Sequence, residues 1–559
     1  MNEEPDIEEF APWLVLVVTL VGAFIRALML SFKGMWLEET VNLWIAGQSF
    51  GEIIPWAARI NGQPPLYYFL LHIWAAVNGT SPYYARFFSV FFGALTIPII
   101  YRIGKRLAGP VMGLTAAVLL AVSPFHIYFA QDTSMCTLLT FNAAIALSAL
   151  TRLLTDPNAD KPFGMQFRSL WRAWRAHGQP QSADDSEPDE ETEFLPRWQK
   201  WLLRVLRIPR GGIGVDLAWV GFALFSAATL LSHNTGVVFF ITTNLFTFGL
   251  MLVQKTRGKN IQISMRAPNL GNWLMAQSAI LVLWLPWLIP YIKLGGLTSH
   301  WPVLAPPTWS GVLELIKSFL NASTTLPAGF AVGLWITYGF LGILGLFSFR
   351  KKLAQFIFLA AAFFLPILLE LLVSLWRPAF DGQTLIWTTI PLFLLLGAGI
   401  AQLRQRGLIF LVIGLLGTLN IFAISDYLKY YQKENWEIAA RTVVGHVEKG
   451  DLILFNSNLN EIPFNYYFIP YEEHYYLQVE KQGIPLDLEQ SGISEPVMTS
   501  ADIPGLVSVL DGHNRVWLIY SNTAVTDPLG LVPQTLETQL TLVYTQEFYG
   551  GLVQLFIKE

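Results

Sequence analysis

Apolar residues in this chain run in blocks of about 20 positions, separated by short polar breaks. A helical block of that length crosses the roughly 30 Å hydrocarbon core of a bilayer. Eleven windows qualify, near residues 11–30, 83–101, 111–129, 135–153, 214–232, 235–253, 272–292, 328–348, 353–375, 384–402 and 407–424. The pattern predicts a polytopic α-helical membrane protein with about 11 transmembrane helices. The first window follows an acidic flank, MNEEPDIEEF, and is long for the apolar core of a signal peptide. It reads as a retained anchor.

Three segments break the rhythm. Residues 31–82 form a long loop containing an apolar stretch of about 13 residues after Pro64 and Pro65, too short to span and suited to a helix along the interface. Residues 154–212 have a Pro-, Ser- and acid-rich centre that reads as a disordered linker. Its flanks, FRSLWRAWRAH and PRWQKWLLRVLRIPR, read as amphipathic helices on an anionic leaflet. From about residue 425 no span follows. Strand-like runs at 451–456 and 515–521, a helical NWEIAARTVVGHVE and a hairpin around Gly550 and Gly551 predict a small α/β domain over 425–559.

Composition narrows the class further. Hydrophobic residues make up 53% and charged residues 14%, against about 25% charged in soluble domains. A net charge of −4 gives no footprint for nucleic acid. The single cysteine, Cys136, excludes an intrachain disulfide and a cysteine-cluster metal site. One alternating set of loops holds 22 Lys and Arg and the opposite set 6. The positive-inside rule then puts the N-terminus in the cytoplasm and the C-terminal domain outside, as expected of a plasma (inner) membrane protein.

Chemistry is expected on the outer side. Glu38 and Glu39 lie just past the first span: they read either as a solvated pair ending a helix or, if buried, as repelling carboxylates of which at least one has a raised pKa, suited to a general base or cation ligand. Arg86 opens the second span, either as an anchor or as a ligand for lipid phosphate. Gln131 and Asp132 end the third span, while His233 and Asn234 follow the fifth at the same level. Arg26 is placed to snorkel outward, and His72 reads as an interfacial or core histidine.

The succession WLEET, QPPLYYFLLHIW, YARFFSVFFGALTIPIIYRIGKRLAG and SPFHIYFAQDTSMCTLL, over roughly residues 10–250, resembles glycosyltransferase family 39. That family holds the dolichyl-phosphate-mannose–protein mannosyltransferase-like and aminoarabinose-transferase-like membrane enzymes. The resemblance implies a glycosyltransferase C fold and an inverting transfer of sugar from a polyprenyl-phosphate donor. The acceptor would be a protein, lipid or glycan on the outer face. Glu38 matches the family's catalytic base, with Glu39 beside it and Asp132 in the next motif. Gln63 and Tyr67 stand in the motif usually written His-Pro-Pro-Leu-Tyr-Tyr. With Gln131 and His233 they are the expected substrate-binding residues. Lys33, Arg59 and Arg86 are the expected ligands of the donor phosphate, with Arg377 a further cation.

Three of the chain's departures from the family bear on the chemistry. Glu replaces Asp at the base, Ser134 stands where the family has Arg, and GQTLIWTTIP replaces an Arg-Tyr pair near the tenth span. A divalent cation is compatible with the acids but required by no ligand spacing. The rival readings are a transporter or lipid flippase, and a scaffold that keeps the fold without catalysis.

Overall fold

The computed structural model describes residues 7–160, 217–257, 264–294, 307–321, 328–350, 352–375, 380–403, 405–488 and 495–558. The linker centre and both of its amphipathic flanks lie outside these residues, as does Arg377. Helix α1 (Ile7–Ala27) leads to three short helices on one face of the bundle, α2 (Leu37–Gly47), α3 (Phe50–Ile60) and α4 (Leu66–Asn78). Then come α5 (Pro82–Ala108), α6 (Pro110–Ala121), α7 (Pro124–Ala130) and α8 (Cys136–Thr155). The second half of the bundle holds α9 (Leu217–Ser232), α10 (Gly236–Arg257), α11 (Leu270–Lys293), α12 (Trp309–Asn321) and α13 (Ala328–Ser348). It closes with α14 (Leu353–Ser374), α15 (Thr389–Ala401) and α16 (Arg406–Tyr430).

Among the described residues eight helices are long and apolar enough to cross a membrane, and the bent pair α6–α7 makes nine if taken as one span. The remaining two expected spans fall on shorter apolar helices, Leu217–Ser232 and Ile386–Ala401. The predicted interfacial segment is α4, which begins directly after Pro65. Gly109, at φ 105°, makes the turn between α5 and α6 that a side chain would strain.

The third expected span is not straight. Its two halves meet at 55°, where Pro124 lacks the N–H that would continue the ladder. Arg26 fills the gap. It is fully buried, and its guanidinium donates to the carbonyls of Leu120 (2.8 Å), Ala121 (2.8 Å) and Gly22 (2.9 Å). The expected snorkelling role of Arg26 is therefore corrected: unsatisfied carbonyls inside a low-dielectric bundle hold the charge more firmly than the interface does.

The last span runs to Tyr430, six residues past the expected break. After it the sheet has the order β2 (Glu480–Gly483), β1 (Leu452–Phe455), β3 (Arg515–Ser521), β5 (Gly551–Ile557), β4 (Thr541–Phe548). Strand β1 pairs in parallel with both neighbours, and all four of its residues are buried, as a strand covered on both faces requires. The β4–β5 hairpin turns at Tyr549 and Gly550. Helices α17 (Trp436–Val444) and α18 (Glu461–Tyr475) cover one face with Trp436, Phe464 and Phe468.

The sheet domain is fastened to the short helices. Leu459, Ile462 and Leu488 share a core with Val41, Leu43 and Tyr67. The Tyr467 hydroxyl accepts from the Met35 N–H at 2.6 Å, and the Tyr466 hydroxyl donates to the Thr80 carbonyl at 2.8 Å.

Candidate active site

Helix α2 opens right after the turn that follows α1, so its first turn carries Glu38 and Glu39 to the mouth of the bundle. The two carboxylates have opposite surroundings. Glu39 is fully buried, and its oxygens accept from Arg86 Nε (2.7 Å), Arg86 Nη2 (2.6 Å), the Thr133 N–H (2.9 Å) and Lys433 Nζ (3.1 Å). Burial alone would raise its pKa, but Lys433 and Arg86 outweigh that and hold the carboxyl well below the usual range. Glu39 is an anchored anion with no lone pair to spare for a proton transfer.

Asp132 lies between α7 and α8. It accepts from the Trp36 indole N–H at 3.0 Å and from Lys433 Nζ at 3.2 Å. Burial and the adjacent Glu39 raise its pKa to about 6 despite Lys433.

Glu38 is exposed to the recess and makes no hydrogen bond among the described residues. Surrounding protein removes it from bulk water, and that burial, with Asp132, Asp381 and Glu434 nearby, raises its carboxyl to about 8 against the pull of Lys433. Of the three expected catalytic carboxylates, only Glu38 has both an open approach and the pKa of a base poised near neutrality.

The expected phosphate ligands separate. Arg86 is buried and spends every donor on protein: two on Glu39 and the rest on the carbonyls of Leu30 (2.5 Å), Lys33 (2.8 Å) and Gly34 (2.7 Å). The fork that suits a phosphate is already filled by a carboxylate, so Arg86 organises the site and is corrected as a phosphate ligand. Arg59 is exposed with its guanidinium 5.7 Å from the Trp56 ring, and it shares no hydrogen bond or ion pair with the carboxylates. Lys33 fits. It gives one bond, to the Tyr427 carbonyl at 2.9 Å, and lies 4.0 Å from the Tyr427 ring centroid. Burial, with Lys433 and Arg86 close by, lowers its pKa to about 8. Lys33, Arg86 and Lys433 together face a narrow cleft whose other walls include Met29, Phe32 and Leu428.

The expected substrate ligands are also redistributed. Gln131 donates to the carbonyls of Arg26 (3.2 Å) and Leu28 (2.8 Å), capping the end of α1. Tyr67 is fully buried against Tyr68 and Phe88, so it is corrected from substrate ligand to packing residue. Its neighbour Tyr68 joins the polar network instead, through Asn42 and Asn61.

Gln63 accepts from the Asn234 N–H at 3.2 Å. His233 Nδ1 lies 3.1 Å from the Thr235 backbone nitrogen and 2.9 Å from the Thr235 hydroxyl. Burial lowers its pKa to about 4, so it is a neutral hydrogen-bonding group and no cation for a phosphate. Thr235 donates to the Thr384 carbonyl at 3.3 Å, and the Thr384 hydroxyl meets Glu370 Oε2 at 2.8 Å. These contacts tie Gln63 and His233 to the 380s turn that carries Asp381.

Four participants were not foreseen from the sequence: Lys433, Glu434, Asp381 and Glu370. Lys433 and Glu434 sit in the link between α16 and α17. Glu434 accepts from the Leu37 N–H (3.2 Å) at the start of α2 and from the Trp436 indole (2.7 Å). A basic and an acidic residue beside tyrosines, directly after the last span, was the available signal. No group of three or more His, Cys, Asp or Glu is placed to hold a metal among the described residues. Between Glu39 and Asp132, where a bridging cation would lie, stands the Lys433 ammonium.

Comparison with known proteins supports the resemblance seen in the sequence. Residues 62–164 match the family model described as dolichyl-phosphate-mannose-protein mannosyltransferase. The whole chain is similar in fold to ArnT from Cupriavidus metallidurans in the apo state, at 10% identity and a TM-score of 0.60, covering 98% of each chain. The undecaprenyl-phosphate-bound form of ArnT from Cupriavidus metallidurans matches at 10% identity and a TM-score of 0.52, over 97% of each. An Archaeoglobus fulgidus oligosaccharyltransferase in complex with zinc and sulfate matches at 10% identity and a TM-score of 0.50, over 97% of this chain and 72% of that one. None of the curated proteins matches the chain in sequence. The fold is that of the glycosyltransferase C membrane enzymes, as the sequence led one to expect.

Proposed function

We propose that this protein transfers a hexosyl or pentosyl group from a polyprenyl-phosphate-linked donor to an acceptor hydroxyl or amine on the extracytoplasmic face of the plasma membrane. The acceptor belongs to a protein, a lipid or a glycan. One observation carries the reading: of the three acids at the mouth of the bundle, Glu39 and Asp132 are held by cations and Glu38 alone stands open, near Lys433, which with Lys33 also lines a narrow cleft with apolar walls. ArnT from Cupriavidus metallidurans, similar in fold, binds undecaprenyl phosphate, which supports a lipid of that class as the donor here.

Glu38 takes the proton of the acceptor as its oxygen or nitrogen attacks the anomeric carbon. The bond from that carbon to the phosphate oxygen breaks on the opposite face, inverting the centre. The electron pair leaves with the phosphate, whose growing charge Lys33 receives, with Lys433 adding its field. Asp132 orients the acceptor or the sugar, and neutral His233, tied to the turn that carries Asp381, serves as a hydrogen-bonding group for the substrate. The lipid tail lies along Met29, Phe32 and Leu428. Purified protein in nanodiscs is then expected to convert labelled sugar on polyprenyl phosphate into a new glycosidic linkage and free polyprenyl phosphate. Passage of the lipid or sugar across the bilayer with no new bond would replace this reading by transport.

Two results should accompany that activity. Lys33→Ala is expected to raise the donor KM about tenfold or more, the worth of a charge-assisted hydrogen bond, while changing kcat less. An unaltered donor KM removes Lys33 from the phosphate. The profile of kcat/KM against pH should form a narrow bell near pH 8. Below it Glu38 holds a proton and cannot act as base; above it Lys33 loses the charge that binds phosphate. Lys33→Arg keeps its charge, so the alkaline limb should flatten while the acid limb stays. A limb that falls unchanged in this variant belongs to another group.

A further inference from the structure

At the opposite end of the bundle, α5 and α8 finish beside the start of α9 around a second pocket, of about 1180 Å³ including space continuous with the surroundings. About 24 to 30 Å of α5 separates its cations from Arg86 at 1.5 Å per residue, so it has no part in the site already described. Four cations line it: Arg102, Lys105 and Arg106 from the last turns of α5, and Arg152 from the last turn of α8. Three like charges at spacings of one, three and four residues repel each other on one helix. Asp156, just past the end of α8, lies 4.0 Å from Arg152. Arg102 and Lys105 are exposed and form no ion pair among the described residues.

The pocket is not a bare charged surface. Its floor is apolar, made where α8 and α9 come together: a Cβ on Gly221 would lie 3.7 Å from that of Ala149. Ile145 continues the floor, and Leu217 stands at its edge with 74% of its surface open. Val220 and Leu224 carry an exposed apolar stripe onward along α9, toward the middle of the bilayer. Cations at headgroup depth above an apolar track match a phosphate with acyl chains attached.

We propose that this pocket is a binding site for the head group of an anionic phospholipid on the cytoplasmic leaflet. Arg102 and Lys105 hold the phosphate, and the acyl chains descend over Ala149, Gly221 and Leu224. A soluble phosphate uses the same cations but gains nothing from the track, which favours the lipid.

Native mass spectrometry of the full chain in detergent, titrated with phosphatidylglycerol, diphosphatidylglycerol or phosphatidylcholine, tests this. One anionic lipid should be retained per chain, saturably, with phosphatidylcholine retained at least tenfold less. The double variant Arg102→Gln/Lys105→Gln should lower that occupancy about tenfold. Lys255→Gln/Arg350→Gln, at the same end of the bundle and outside the pocket, should leave it unchanged. Equal loss in both double variants would reduce the effect to diffuse attraction and overturn the site. Displacement of the lipid by equimolar inorganic pyrophosphate would overturn the lipid assignment. If the first double variant is not recovered folded, Arg102→Gln alone and the wild-type lipid preference decide.

Discussion

Glu38→Gln is expected to fold, to retain polyprenyl phosphate and to lose about two to four orders of magnitude in transfer rate, the usual contribution of a positioned general base. Gln is nearly the shape of Glu and cannot accept the proton. Because Glu38 makes no hydrogen bond among the described residues, its replacement breaks nothing that holds the fold. The loss should fall on kcat with donor KM little changed, and the acid limb of the pH profile should vanish with it. Single-turnover transfer by purified protein at matched lipid occupancy is the measurement. A wild-type rate would show that the acceptor is deprotonated by another group, and Asp132, at about 6, would be next to examine. Shortening the side chain to Asp keeps a carboxylate and withdraws it by about one methylene. Partial activity in Glu38→Asp would show that reach matters as well as charge.

Arg86→Gln is expected to act in a different way, by loss of structure. The guanidinium is 2% exposed and satisfies both Glu39 oxygens together with three carbonyls of the turn after α1. Removing one partner of a buried ion pair typically costs about 3–5 kcal/mol, because the other charge stays buried. Lys433 still touches Glu39, which places the cost near the lower end of that range. The thermal midpoint in detergent should fall clearly, and activity should fall with it. Glu39→Gln/Arg86→Gln should recover part of the stability, since it leaves no orphan charge, but no activity. An unshifted midpoint for the single variant would mean that the pair is solvated in the membrane and that Arg86 is available for phosphate after all.

The spans were legible because a bilayer imposes a length that block counting detects. The position of Glu38 and Asp132 at span ends was legible for the same reason. Which carboxylate stays open was not, because it depends on partners remote in the chain. Lys433 meets Glu39 across 394 positions and Asp132 across 301, and no local pattern announces such a pairing. Arg86 was found at the right depth, yet its task hinged on the carbonyls of Leu30, Lys33 and Gly34, which sequence spacing does not reveal. Pro124 was visible within the third window, but only packing shows that Arg26 closes the resulting gap. The sheet was readable in two of its inner strands, β1 and β3, and in its hairpin, whereas the short edge strand β2, with its polar sequence, gave no apolar run to detect. The role of the link before it stayed hidden, because composition alone marks residue 425 as the edge of another unit.

That link has a consequence for how the protein is made. Glu39 and Asp132 enter the translocation machinery early, whereas the ammonium that bridges them belongs to a residue synthesised some 300 positions after Asp132. Until then Arg86 serves Glu39 alone, and Asp132 lacks the cation that meets it in the finished fold. The cluster around Glu38 is thus completed only after the last span has been made and the segment behind it has folded back.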